Sequence, residues 1–180
     1  MAETASSILG PWSNFYAMTG SSAGALTGLM FVVITLVTGV ERLRRNRDGI
    51  SAFSTPIVLH FGAALLVSAI LSVPWPSLAY PAWLLAIAGL FAVVYILRVW
   101  LLARRFTDYT PDLEDWICYT ILPLVAYSTI LIGSIALNAA PHVAPFALAG
   151  AVLLLIFIGI RNAWDVVTYI AIEHVSDRPS

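Results

Sequence analysis

The chain has 180 residues, 60% of them hydrophobic and 11% charged, with a mean hydropathy of +0.90 and a net charge of −1. Soluble domains carry roughly 45–50% apolar and about 25% charged residues, and a small fold cannot hide such an excess from water. The balance excludes a soluble enzyme, a nucleic-acid binder, a disordered tail and a disulfide scaffold, and points to an all-α, polytopic membrane bundle.

Crossing a hydrocarbon core about 30 Å thick takes roughly 20 mostly apolar residues. Five stretches meet that requirement, at about 16–40, 55–73, 82–102, 116–137 and 143–165, all within a single membrane domain over residues 1–180. The first carries Gly20, Gly24 and Gly28, two overlapping GxxxG repeats. Glycines four apart share a helix face and let another backbone come close. That face either packs against a helix of the same chain, forms a seam between copies or lines a pore. Gly20-Ser-Ser-Ala-Gly24 also has the G-x-S-x-G spacing of serine hydrolases, whose chemistry needs a strand–turn–helix elbow that a membrane helix lacks. Ser22 and His142 fall on the same side of the membrane, which leaves an intramembrane serine hydrolase as a remote alternative; Ala23 breaks the shorter G-x-S-G box of rhomboid proteases.

The second stretch holds His60, Ala64, Ser68 and Ser72 at i, i+4 spacing, a small polar stripe on one face. Polar groups inside a span face the bundle or a water-filled path. His60 is therefore either a histidine hydrogen-bonded near its helix end or a candidate proton-sensing group. A proline turn from Pro74 to Pro81 follows. The third stretch carries Arg98 one turn inside its end at an arginine-bearing loop. In that loop Thr110, Pro111 and the acidic Asp112, Glu114 and Asp115 suit the start of a helix. The fourth stretch contains Pro123, which must interrupt the backbone ladder and is expected to kink it.

The fifth stretch ends in the densest polar cluster, Arg161-Asn162-Ala163-Trp164-Asp165. Arg161 and Asp165 are four apart and can pair along one face. Together with Arg98 they form a candidate polar site, set against the plainer reading of an ion pair anchoring the helix at the headgroups.

All nine basic residues are arginine. They cluster in the first and third loops, at the end of the third span and in the C-terminal segment, so a five-span arrangement places every one on the same side. Basic residues are retained in the cytoplasm, which sets the N-terminus outside and the C-terminus cytoplasmic. Trp12, Trp75 and Trp83 then map to outer span ends, and Trp100, Trp116 and Trp164 to inner ends, as interfacial aromatic belts require. The absence of lysine excludes a lysine Schiff base. A single cysteine, Cys118, and three scattered histidines leave no metal site and no catalytic set, and no cofactor is expected.

Phe15-Tyr16 to Gly20, Gly28-Leu-Met-Phe-Val32 and Gly159-Ile-Arg-Asn-Ala-Trp-Asp165 together resemble small uncharacterised bacterial inner-membrane proteins. The resemblance implies a bacterial inner-membrane location and brings no functional residues. The expected role is a small homo-oligomeric channel or permease. The alternative is a non-catalytic binding or scaffold subunit of a larger membrane complex. The partners expected are the lipid bilayer and either a second copy or another membrane protein, with no nucleic acid.

Overall fold

A computed structural model describes residues 4–38, 47–103 and 117–176, with side chains over 4–35, 56–101 and 117–168. Every element in it is helical. A short α1 (Ala5–Leu9) is capped by Thr4, whose hydroxyl accepts from the Ser7 amide, and runs through a 3-10 turn (Gly10–Trp12) into α2 (Ser13–Thr38). Then come α3 (Arg47–Ser72), α4 (Ala79–Ala103), a π turn (Ile117–Ile121) leading into α5 (Leu122–Ala139), and α6 (Ala144–Ser176).

Four helical stretches are long and apolar enough to cross a membrane: Ala5–Thr35, Ala79–Leu101, Ile117–Ala139 and Ala144–Thr168. The apolar part of α3, Pro56–Ser72, is shorter. At 1.5 Å per residue its 17 residues give about 25 Å, just under a 30 Å core. This short helix is also a central one. The helix starts expected at residues 16, 82 and 143 lie within a few residues of those observed, but α3 begins before the expected residue 55 and α6 continues past 165. The expected helix start at Pro111 and the arginine-rich first and third loops lie outside the described residues.

Two turns close hairpins at one end of the bundle, Val73–Leu78 between α3 and α4 and Ala140–Val143 between α5 and α6. The first is held by the Trp75 indole, which donates to the Ile70 carbonyl at 2.7 Å. We call this the hairpin end. The Tyr16 hydroxyl donates to the Pro145 carbonyl at 3.3 Å, so α2 and α6 both start there. Helices α2 and α3 pack along each other, as do α4 and α5, and α6 lies against both α3 and α5. The order of neighbours is therefore α2, α3, α6, α5, α4, with α4 touching α3 only briefly.

Two crossings are set by glycine. At Gly89 the α5 backbone comes so close that a Cβ would sit 3.0 Å from the Leu131 nitrogen. At Gly159 a Cβ would overlap the ring of Phe61. The outward faces are as apolar as the core: Phe91 is 73% exposed and Trp83 71%. In water such a face would be an aggregation hazard, whereas in lipid it costs nothing.

Candidate functional site

Buried polar side chains are few among the described residues. Thr19, His60, Ser68, Ser134 and Asn162 are all buried among the described residues. Ser134 spends its hydroxyl locally, donating to the Leu131 carbonyl. The others lie on α2, α3 and α6. The Thr19 and Ser68 hydroxyls share a hydrogen bond of 3.1 Å between α2 and α3. Two turns further from the hairpin end, His60 Nδ1 is 2.9 Å from the Tyr127 hydroxyl, which ties α3 to α5. Both rings are 1% exposed.

The stripe expected on α3 is therefore an inward face: His60, Ala64 and Ser68 are each buried, while Ser72 turns its hydroxyl back to the Ser68 carbonyl. The expectation of Pro123 as a ladder interruption has a specific form. The proline lies in the first turn of α5, directly after the π turn Ile117–Ile121. A residue without N–H leaves a carbonyl of the preceding turn without its ladder donor, and a π turn is one way a helix absorbs that loss.

Asn162 is the most unusual side chain in the fold. It is fully buried, and neither its carboxamide nitrogen nor its oxygen has a hydrogen-bond partner. An unmade bond in such a place costs about 1–3 kcal/mol. Its neighbours on α6 behave differently. The Arg161 guanidinium donates to the Asp165 carboxylate along the helix, and both side chains are more than a third exposed. The residues of the expected polar site are thus divided: Arg161 and Asp165 pair at the surface, and Asn162 points into the bundle. Arg98 is exposed on α4, whose main neighbour is α5 rather than α6.

Of the three first-span glycines, Gly20 is in close contact, its Cβ direction meeting Ser68 Cβ at 3.1 Å. Gly24 faces the tip of Leu65 at 3.9 Å, and Gly28 faces open space. The glycine face thus approaches α3 at the hairpin end and diverges from it further along. Where it diverges, an apolar groove of about 240 Å³ opens between α2 and α6, lined by Leu29, Met30, Val33, Phe61, Trp164 and others. Ser22 lies outside all of this. It is exposed on α2, and its hydroxyl donates to the Met18 carbonyl within an unbroken helix.

Thr19 is the contributor that sequence reasoning did not single out; Tyr127 is legible in the sequence as a polar group of the fourth span, but not its pairing with His60. Tyr16, Thr19, Ala23 and Met30 fall on one face at helical spacing, which was the available signal for Thr19. Among the described residues no group of three His, Cys, Asp or Glu could hold a metal ion, and Cys118 is half-buried as a free thiol. No known family, curated protein or solved structure matches this chain.

Proposed function

We propose that this chain is a permease-type protein of a bacterial inner membrane, with α3 as a fifth crossing, the hairpin end outside, and the solute path inside one protomer. The observation that supports it most is the column of buried polar groups, Thr19 with Ser68, His60 with Tyr127, and Asn162. From Ser68 to the level of Asn162 the column covers about 15 Å at helical rise, half of a 30 Å core. An apolar bundle has no packing need for these groups, and polar residues at membrane depth are kept where they are used. None of them carries a fixed charge, which favours a small uncharged polar solute over an ion.

Reconstitution into liposomes tests this, with stopped-flow light scattering following water, glycerol and urea entry. Entry above that of empty vesicles, and slowed by His60→Phe, supports the reading. Leakage-level entry of all three solutes, unchanged by His60→Phe, favours a binding or scaffold subunit instead. Assembly of copies is a second element of the proposal, favoured by the open end of the glycine face at Gly28 and the groove beside it. Light-scattering mass of the purified protein tests it.

A further inference from the structure

We infer that the outer face of α4 binds one anionic phospholipid, with its phosphodiester held by Arg98 and an acyl chain laid along Val94 and Phe91. Leu84, Ile87, Phe91, Val94, Arg98 and Leu101 follow one another at steps of three and four residues, so they form one stripe, and each is exposed. The stripe is two residues, or about 200°, out of phase with the buried one, Ala82, Leu85, Gly89 and Ile96, where Gly89 meets α5. Arg98 is the only charged residue of α4. Among the described residues its guanidinium has no ion pair and no hydrogen bond, whereas Arg161 has Asp165.

Depth decides what can neutralise this charge. Centred on a 30 Å core, the stretch Ala79–Leu101 puts the Arg98 backbone about 12 Å from the midplane, about 3 Å inside the hydrocarbon. Its Cα–Cβ bond tilts toward the start of α4, hence deeper still. An arginine there is costly without a counter-charge, and the nearest layer of anions is the phosphates at that end of the bundle. A guanidinium takes a phosphodiester through two parallel hydrogen bonds. Between that layer and the midplane an acyl chain meets Val94 and Phe91, while Ile87 and Leu84 belong to the opposite leaflet. A headgroup with no cation of its own leaves its whole charge to the arginine, which favours phosphatidylglycerol over phosphatidylcholine. A protein partner fits this face less well. Helix seams in membranes use small residues, but the stripe has none, and the single glycine of α4, Gly89, is spent on α5. A second copy, related by a two-fold axis along the membrane normal, would set Arg98 against Arg98.

Binding here requires α4 to lie in the membrane and is independent of transport, so it is read without flux. A bimane is attached at Leu97→Cys in a Cys118→Ala background, and the protein is reconstituted in phosphatidylcholine. Quenching by brominated phosphatidylglycerol is then compared with quenching by brominated phosphatidylcholine. Leu97 is exposed beside the stripe, and Leu84→Cys serves at a similar depth in the opposite leaflet. Near Leu97 phosphatidylglycerol is expected to bind about fivefold more strongly, the worth of one basic side chain at an anionic surface. Near Leu84 the two lipids should bind equally. Arg98→Gln should abolish the difference at Leu97, while Arg98→Lys, which keeps the charge, should keep it; loss in both variants refutes a hold by charge. Equal binding of the two lipids at Leu97 in the protein with Arg98 intact overturns the site. So does a preference that survives Arg98→Gln, because it then belongs to Arg104 and Arg105 in the adjoining loop. A bimane at Leu97 that neither lipid quenches shows another helix on this face, and overturns it as well.

Discussion

The glycines predict a graded response to the smallest possible substitution, and the grading follows contact distance rather than motif. At Gly89 an alanine methyl would sit 3.0 Å from the Leu131 nitrogen, 3.1 Å from its Cα and 3.2 Å from its Cβ. Carbon atoms rest at about 3.5–4.0 Å, and the obstructing atoms here are mostly backbone, which cannot rotate away. Helix α4 must therefore retreat from α5 by about 0.5 Å, giving up a quarter or more of the dispersion at every contact along the crossing. Overpacking of this kind costs about 1–3 kcal/mol. Replacing glycine in a helix returns up to about 1 kcal/mol. The net loss of about 1–2 kcal/mol corresponds to a midpoint lower by roughly 2–8 °C for a chain of this size. At Gly28 nothing lies within 4 Å, so only the propensity gain remains and the midpoint should hold or rise. Gly20→Ala, against Ser68 Cβ at 3.1 Å, should fall between them. Thermal unfolding of the three purified variants in one detergent is the assay. Gly28→Ala destabilising as much as Gly89→Ala would refute the reasoning, because it would mean that the open end of the glycine face is tightly covered.

Tyr127→Phe leaves His60 without its 2.9 Å partner and should cost about 1–2 kcal/mol in the same assay, more than a typical hydrogen bond between membrane helices; a neutral result would mean that another group takes over. Asp165→Asn should cost no more than about 1 kcal/mol, since both partners of its ion pair are partly exposed, and a loss near 3 kcal/mol would show that the pair is buried in the membrane. Cysteines at Ser77 and His142, introduced with Cys118→Ala, should react with an impermeant maleimide from the periplasmic side, and one at Ser176 from the cytoplasmic side. A further cysteine at Ser6, separated from Ser77 by α2 and α3, should label from the same side as Ser77; labelling of Ser6 and Ser77 from opposite sides rules out α3 as a crossing.

The helices were legible because apolar length is a one-dimensional property, and the breaks at Pro74–Pro76 and Asn138–Pro141 interrupt it plainly. Which face of each helix points inward was harder to read. In a soluble bundle an amphipathic stripe marks the core face, but a helix between core and lipid is apolar on both sides. Where polarity survives, it told the truth: the His60–Ala64–Ser68 spacing marked an inward face. It was less informative at Asn162, because the charged neighbours Arg161 and Asp165 drew the whole segment into one cluster. Residues 100° apart on a helix face different surroundings, and only the packing partners decide which. Gly89, Gly133 and Gly159 belong to no GxxxG repeat, yet each sits at a closer approach than Gly24 or Gly28. Close approach depends on the crossing partner, which spacing within one helix does not encode.

The division of labour among the helices bears on how such a bundle moves. Helix α4 contributes nothing to the buried polar column and presents a broad apolar face, with Phe91 and Trp83 the most exposed. It is held mainly through the Gly89 crossing with α5. The column itself ties α2 to α3 through Thr19 and Ser68, and α3 to α5 through His60 and Tyr127, but no described hydrogen bond ties Asn162 on α6 to either. A hydrogen bond fixes direction as well as distance, so the junctions that carry one resist sliding more than a contact held by dispersion alone. The π turn, where the ladder is already reorganised, also touches α6. On the permease reading proposed above, opening would begin at the end of the bundle away from the hairpins, beyond the Thr19–Ser68 and His60–Tyr127 bonds. Opening there would expose Asn162 first and His60 next, with the Thr19–Ser68 bond still closing the hairpin end. On that same permease reading, a path gated in that order would admit a guest from one side before releasing it to the other, as alternating access requires.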